Sequence, residues 1–294
     1  MIRIGEINYL NVYPIFYFLK KEIAENGTKL NFLMFKQGTP AFLNESLKNG
    51  VIDLSPSSSF YYIEHYRNSI LCKDVSISSK KKVNSIFLFS PKKIEEFSDA
   101  ETIYITPETL TSANLLKILL AEFYKLDINK INFLIMPSNE NIELSEDAEL
   151  DKSKIYLQIG DKAIKYKKNY ENVFGYSYDL AAIWYNFTSL PFVFALFIIR
   201  KDSYENNKNE FNIFYEYLIK AKEKAVTHLE EIAQGLLKNN SFKFITYDEL
   251  IDYWTNCLTF DLGEKELEGF MLYCDLLYKH KIIKNIPALN FMPA

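Results

Sequence analysis

Strand-like and helix-like segments alternate through the first half of the chain, which restricts it to a sheet with parallel strands and helices on its faces. Residues 2–7 read as a strand, 13–24 as a helix, 29–35 as a strand, 40–48 as a helix, and 52–54 as a strand leading to a helix near 60–66. The rhythm continues with an apolar strand at 83–90, a short strand at 102–105, an amphipathic helix at 112–124, and strands at 131–136 and 155–159. Between the last two, the stretch 138–154 carries Glu or Asp at six positions from 140 to 151 and reads as surface. From residue 211 onward the period is helical, with further segments at 231–237, 247–258 and 264–280. A chain of 294 residues is long enough for two lobes, and no Gly/Ser linker separates them. The runs at 83–90 and 192–200 are nearly continuous apolar stretches, as strands buried on both faces are, and are the candidate hinge strands between lobes.

In open sheets of this kind ligands bind beyond the carboxyl ends of strands, where helix N-termini offer unpaired N–H groups to anions. Three such junctions are rich in hydroxyls and amides. The first strand runs into Asn8, Tyr9, Leu10 and Asn11, directly before the helix begun by Tyr13 and Pro14. The strand ending at Leu54 runs into Ser55, Pro56, Ser57, Ser58 and Ser59, and the strand ending at Ile105 runs into TPETLTS at 106–112. A Ser or Thr at any one junction is an ordinary N-cap. Three junctions together furnish donors on both sides of a cleft and suit a small anion bearing carboxylates. A further strand, Ile155–Ile159, ends in Gly160 and Asp161, and Asp161 reads either as a helix cap or as part of the cleft wall.

Several functions are disfavoured by what the chain lacks. A formal net charge of −4, with short lysine runs at 80–82 and 165–168, argues against a nucleic-acid partner. There is no Gly-rich phosphate loop, no nucleophile elbow and no pair of histidines at metal-ligand spacing. His65, His228 and His280 fall in helical segments away from the junctions, so neither a metal nor an organic cofactor is expected. Cys72, Cys257 and Cys274 are odd in number and fit neither a zinc site nor a disulfide framework, as in a reducing compartment. The first residues read as a strand, and no apolar run reaches the roughly 18 residues of a membrane span. The expectation is a cytoplasmic protein with no membrane partner.

The segments IGEINYLN at 4–11, IDLSPSSSF at 52–60, VNSIFLFS at 83–90, TLTS at 109–112, IGDKA at 159–163 and TSLPFVFA at 188–195, with Tyr178, Asp179, Leu180 and Trp184, resemble chorismate dehydratase of the futalosine route to menaquinone. The matches keep the family's order over roughly residues 2–200, and the C-terminal helices add little. The resemblance implies an α/β, two-lobed fold of the type II periplasmic-binding-protein kind, with a ligand cleft between the lobes and a helical C-terminal segment. It places residues 1–88 with 192–294 in one lobe and 89–191 in the other. It implies conversion of the dicarboxylate chorismate to 3-[(1-carboxyvinyl)oxy]benzoate and water, without a cofactor. The family's active-site pair maps onto Asn11 and Ser85. Ser57, Ser58, Thr111 and Ser112 are assigned to binding carboxylates, together with Asn8 and Asp161.

Two positions depart from the family's pattern: Ser189 stands where glycine is common, and lysines 80–82 stand where glycine commonly precedes the Ser85 strand. Both bear on loop geometry at the cleft rim. The alternatives are the sister enzyme 1,4-dihydroxy-6-naphthoate synthase, which would be expected to use a histidine in a cleft loop, and a non-catalytic protein of the same fold that binds or senses a small carboxylate.

Overall fold

Two mixed sheets organise the chain in the computed structural model, which describes residues 1–25, 30–136, 151–169, 173–238 and 242–293. Among the described residues the strands are β1 (Ile2–Ile7), β2 (Leu33–Gly38), β3 (Leu54–Ser58), β4 (Ser69–Ser79), β5 (Ile86–Ser90), β6 (Thr102–Ile105), β7 (Asn132–Ile135), β8 (Ile155–Ile159), β9 (Tyr176–Asp179), β10 (Phe192–Arg200) and β11 (Leu258–Thr259). The first sheet runs β11-β4-β10-β3-β1-β2 and the second β7-β6-β8-β5-β9. Strands that arrive through a helix pair in parallel, as β1 does with β2 and β3 and β6 does with β7 and β8. The strand that follows each crossing between sheets is antiparallel to its neighbours: β5 to β8 and β9, β10 to β3 and β4. This is the two-lobed α/β arrangement expected from the sequence.

Both crossings lie just ahead of those apolar strands. β5 belongs wholly to the second sheet, so the first crossing precedes Ile86. The second lies between the helix Leu180–Thr188 and β10. Eight of the nine β10 residues and all five of β5 are buried, because helices or partner strands cover both faces. On the first sheet that cover comes largely from the C-terminal third. Helix Lys208–Thr227 packs on β4 and on helix Tyr13–Glu25, and helix Glu264–Lys279 packs on β10.

Three strands were not visible in the periodicity: β4, β9 and the two-residue β11, which begins at the end of the segment 247–258 read as helical. β4 reads as a polar run because Ser76, Ser78 and Ser79 are all buried, and because Asp74 (φ 58°) interrupts the alternation where the register with β10 shifts. β9 is only four residues long. The serines after Leu54 are also strand rather than junction loop: Ser55 to Ser58 pair with Ile198 to Ala195 of β10, since a backbone this deeply buried must enter the ladder. The polar stretch at 138–150 and residue 29 of the second strand lie outside the described residues.

The two departures from the family pattern have structural consequences. Ser189 ends helix Leu180–Thr188 in the left-handed region (φ 59°, ψ 17°), its N–H bonded to the carbonyl of Tyr185. That is the helix-ending conformation glycine adopts without a Cβ penalty. Ser189→Gly is expected to stabilise the fold by about 0.5–1 kcal/mol, read as a rise in Tm with activity unchanged. The 80–82 lysines form part of the first crossing: the Lys80 ammonium donates to the Thr255 carbonyl, and Lys82 pairs with Asp252 at 3.7 Å. They tie the crossing to the C-terminal segment.

Candidate active site

A cleft opens between the two sheets, where the ends of β1, β3, β6 and β8 converge, and it holds about 600 Å³ of space including its mouth. Its walls are mainly apolar, with Ile7, Ile77, Ile86 and Phe194 among them, and its polar groups come from the expected junctions. Asn11, Ser58, Ser85, Thr111 and Ser112 all line it. No lysine or arginine does; Glu108 is the one charged residue on the wall among the described residues.

Each polar group is held differently. The Asn11 Oδ1 is buried without a hydrogen-bond partner, and so is the Thr109 hydroxyl on the opposite wall. An unmet buried polar atom costs about 1–3 kcal/mol, so two of them on one cleft mark where a ligand's polar groups belong. Thr111 is already occupied: its hydroxyl lies 2.5 Å from that of Ser58, accepts from the Phe60 N–H at 3.2 Å and reaches the Phe194 carbonyl at 3.2 Å. Thr111 and Ser58 therefore join the second-lobe helix to the first sheet, with less freedom to bind a ligand than was expected of them. Ser112, beside Thr111, is 4% exposed and lines the cleft on helix Thr111–Ile118, whose N-terminus has no side-chain cap.

Three expected binding residues do not line the cleft. Asn8 is exposed. Ser57 alternates with Ser58 on β3, so its side chain projects from the other face, buried and without a partner. Asp161 sits in the first turn of helix Gly160–Asn169 and accepts from the Leu10 N–H at 3.1 Å. It bridges the lobes rather than capping its own helix. Gly160 (φ 66°) carries this turn against Tyr9, whose ring atoms would lie 2.8 Å from any Cβ. Tyr9 in turn donates its hydroxyl to Glu108 across the cleft, and burial together with the Glu108 charge raises its pKa so that the phenol keeps its proton.

Burial pushes the Asp161 carboxyl up to about 6, against the opposing pull of the Leu10 N–H and Lys165. A carboxyl whose folded pKa exceeds its ordinary value of 3.8 contributes its full stability below about pH 4 and loses it as pH rises through 6. Asp161→Asn keeps an oxygen for the Leu10 N–H and has no charge to desolvate. It is expected to gain at most about 3 kcal/mol at pH 7.5 and nothing at pH 4, measured as Tm against pH for the two proteins.

The Ser85 segment is set by Asp179. One carboxylate oxygen accepts from the Val83 and Asn84 amides at 3.0 and 2.7 Å, while the other caps helix Leu180–Thr188 through the Ala182 N–H at 3.0 Å. Asn84, in the left-handed region (φ 54°), turns the chain so that Ser85 enters the cleft wall. The Ser85 hydroxyl lies 3.0 Å from that of Tyr253, a contact the sequence did not point to because Tyr253 is 168 residues away. Glu108 and Thr109 lay within a recognised junction, yet neither was singled out. None of His65, His228 and His280 lines the cleft.

A family model described as menaquinone biosynthesis matches residues 2–279. Among curated relatives, chorismate dehydratase of Thermus thermophilus is 27% identical over 68% of this chain and 70% of its own length. Chorismate dehydratase of Campylobacter jejuni is 30% identical over 66% of this chain, and the match spans 65% of that protein, slightly under two thirds. Among solved structures, a protein of Archaeoglobus fulgidus superposes with a TM-score of 0.69 at 16% identity, covering 96% of this chain and 98% of that one. A Candida albicans protein described as having the generic periplasmic binding protein fold superposes with a TM-score of 0.65 at 11% identity, over 97% and 91% of the two chains. The fold is thus that of the periplasmic binding proteins, and the chain belongs to the menaquinone biosynthesis family.

Proposed function

We propose that this protein is a chorismate dehydratase, converting chorismate to 3-[(1-carboxyvinyl)oxy]benzoate and water. The observation that carries the reading is the convergence of Asn11 and Ser85 on one cleft, in a chain whose two named relatives are chorismate dehydratases. Chorismate is a small dicarboxylate with a ring hydroxyl. The hydroxyls of Thr109 and Ser112 and the uncapped N-terminus of helix Thr111–Ile118 suit one carboxylate without a basic residue. Apolar walls exclude water around the ring.

The reaction takes one ring proton and the ring hydroxyl, and leaves an aromatic ring. Neither Asn11 nor Ser85 is a base at neutral pH, so the substrate's enolpyruvyl carboxylate accepts the ring proton. Asn11 and Ser85 orient that group and hydrogen-bond the departing hydroxyl. Glu108 is the competing base, since it is the cleft's one carboxylate among the described residues, but its bond to Tyr9 and its 4.0 Å approach to Lys162 hold it in a contact between the lobes. Glu108→Gln is accordingly expected to leave kcat within about threefold; a loss beyond roughly 10²-fold, the lower end for removing a general base, would transfer the proton abstraction to Glu108.

The histidine-free cleft wall disfavours the sister naphthoate synthase reading. We place the enzyme in the cytoplasm, in keeping with three unpaired buried cysteines; among the described residues no helix is long and apolar enough to cross a membrane. The test is incubation of the purified protein with chorismate, followed by absorbance and mass spectrometry. Loss of one water establishes the dehydratase. Binding without turnover favours a carboxylate-binding protein, and the absence of both turnover and binding would exclude chorismate as the ligand.

A further inference from the structure

One turn of π-helix, Tyr253–Cys257, reaches from the C-terminal third into both loops that carry the proposed catalytic pair. Tyr253 and Ser85 are each buried, at 3% and 2% exposed, with their hydroxyl oxygens 3.0 Å apart. The next residue, Trp254, is also 3% exposed and donates its indole N–H to the carbonyl of Leu10, at 2.8 Å, immediately before Asn11. The ring of Tyr13 lies parallel to that indole (centroids 6.5 Å, 4°), fixing it from the other side of the same loop. The end of the turn is anchored as well: the Lys80 N–H donates to the Cys257 carbonyl at 3.0 Å, and the Asn84 side-chain amide reaches the Cys257 sulfur at 3.2 Å. Turns of this kind recur at functional sites because the wider backbone re-aims neighbouring side chains.

We propose that this turn is a positioning clamp for the reaction: Tyr253 fixes the Ser85 hydroxyl, and Trp254 fixes the loop that presents Asn11. The inference rests on the dehydratase reading and adds two residues to it. The Tyr253 O–H donates to Ser85 Oγ, so the serine's own proton is free to point at the departing hydroxyl in the cleft. Burial raises the pKa of Tyr253 well above that of an ordinary phenol, so the donor proton stays in place across the working pH range. Neither residue lines the cleft, so each acts through its partner.

The test is a pair of double-mutant cycles on the full chain with chorismate as substrate. Tyr253→Phe removes one oxygen and is expected to lower kcat by about 10–100-fold, the scale of a misoriented group, with KM within twofold. In a Ser85→Ala background it should lower kcat no further, and in an Asn11→Ala background it should lower kcat by its full factor. Trp254→Phe should show the reverse pattern, coupled to Asn11 and independent of Ser85, and it keeps the proposal testable if Tyr253→Phe does not fold. A Tyr253→Phe enzyme with wild-type kcat, or losses that multiply with those of Ser85→Ala, would overturn the clamp. The outcomes separate from failure of the dehydratase reading itself: an inactive wild-type protein overturns both, whereas an active wild type with an unaffected Tyr253→Phe overturns the clamp alone.

Discussion

Ser85→Ala and Asn11→Ala are each expected to lower kcat on chorismate by about 10²–10³-fold, the scale seen when one preorganised hydrogen-bonding group is removed from a reacting centre, while Tm moves by only a few degrees. The two substitutions act on stability in opposite directions. Asn11 holds a buried oxygen that no protein group satisfies, so truncating it removes an unmet acceptor and should leave the fold unharmed or slightly firmer. Ser85 has one side-chain partner, the Tyr253 hydroxyl, and its loss leaves that phenol unpaired, a cost of about 1–3 kcal/mol. A site built for binding alone would show the damage in affinity. A site that assists the departing hydroxyl shows it in kcat with KM little changed. Steady-state kinetics alongside thermal melting separate the two, and near-wild-type kcat for both variants would remove this pair from the mechanism.

The sequence displayed the elements whose pattern is local. The β1, β6, β8 and β10 bounds were legible because apolar residues make up half or more of each. β4 was not, because buried serines and a left-handed Asp74 hide its alternation, and only pairing with β10 explains why those serines are inside. The same limit governed the site. Asn11, Ser58, Ser85, Thr111 and Ser112 lie at strand ends or helix starts, where the chain advertises them, and the structure brings them together. Ser57 was misjudged because strand alternation turned on where β3 ends, and β3 runs through the serines instead of stopping before them. Tyr253 and Trp254 look like ordinary core aromatics in a helical segment. Their role exists only through contacts spanning 168 and 244 residues, which no local pattern encodes.

The longest reach in stability belongs to Asp179. Asp179→Ala is expected to destabilise the protein by about 3–5 kcal/mol, comparable to breaking a buried charged network, and to lower kcat as well. Its carboxylate accepts from the amides of Val83, Asn84 and Ala182, three donors that alanine cannot satisfy. Burial raises the Asp179 pKa, with the Asn84 and Ala182 amides opposing it, so the site tolerates the carboxylate only because those amides surround it. Asp179→Asn retains one oxygen and places an NH₂ where the second acceptor stood. It should therefore fall between wild type and alanine, keeping either the helix cap or the Val83 and Asn84 contacts. The second of these matters to chemistry, because those two amides immediately precede Ser85 and set the angle at which it enters the cleft. Denaturant melts and kcat measured on all three proteins check the order. If Asp179→Ala lost stability while kcat stayed at the wild-type value, the carboxylate would be a helix cap only, and Ser85 would be held by Tyr253 without its help.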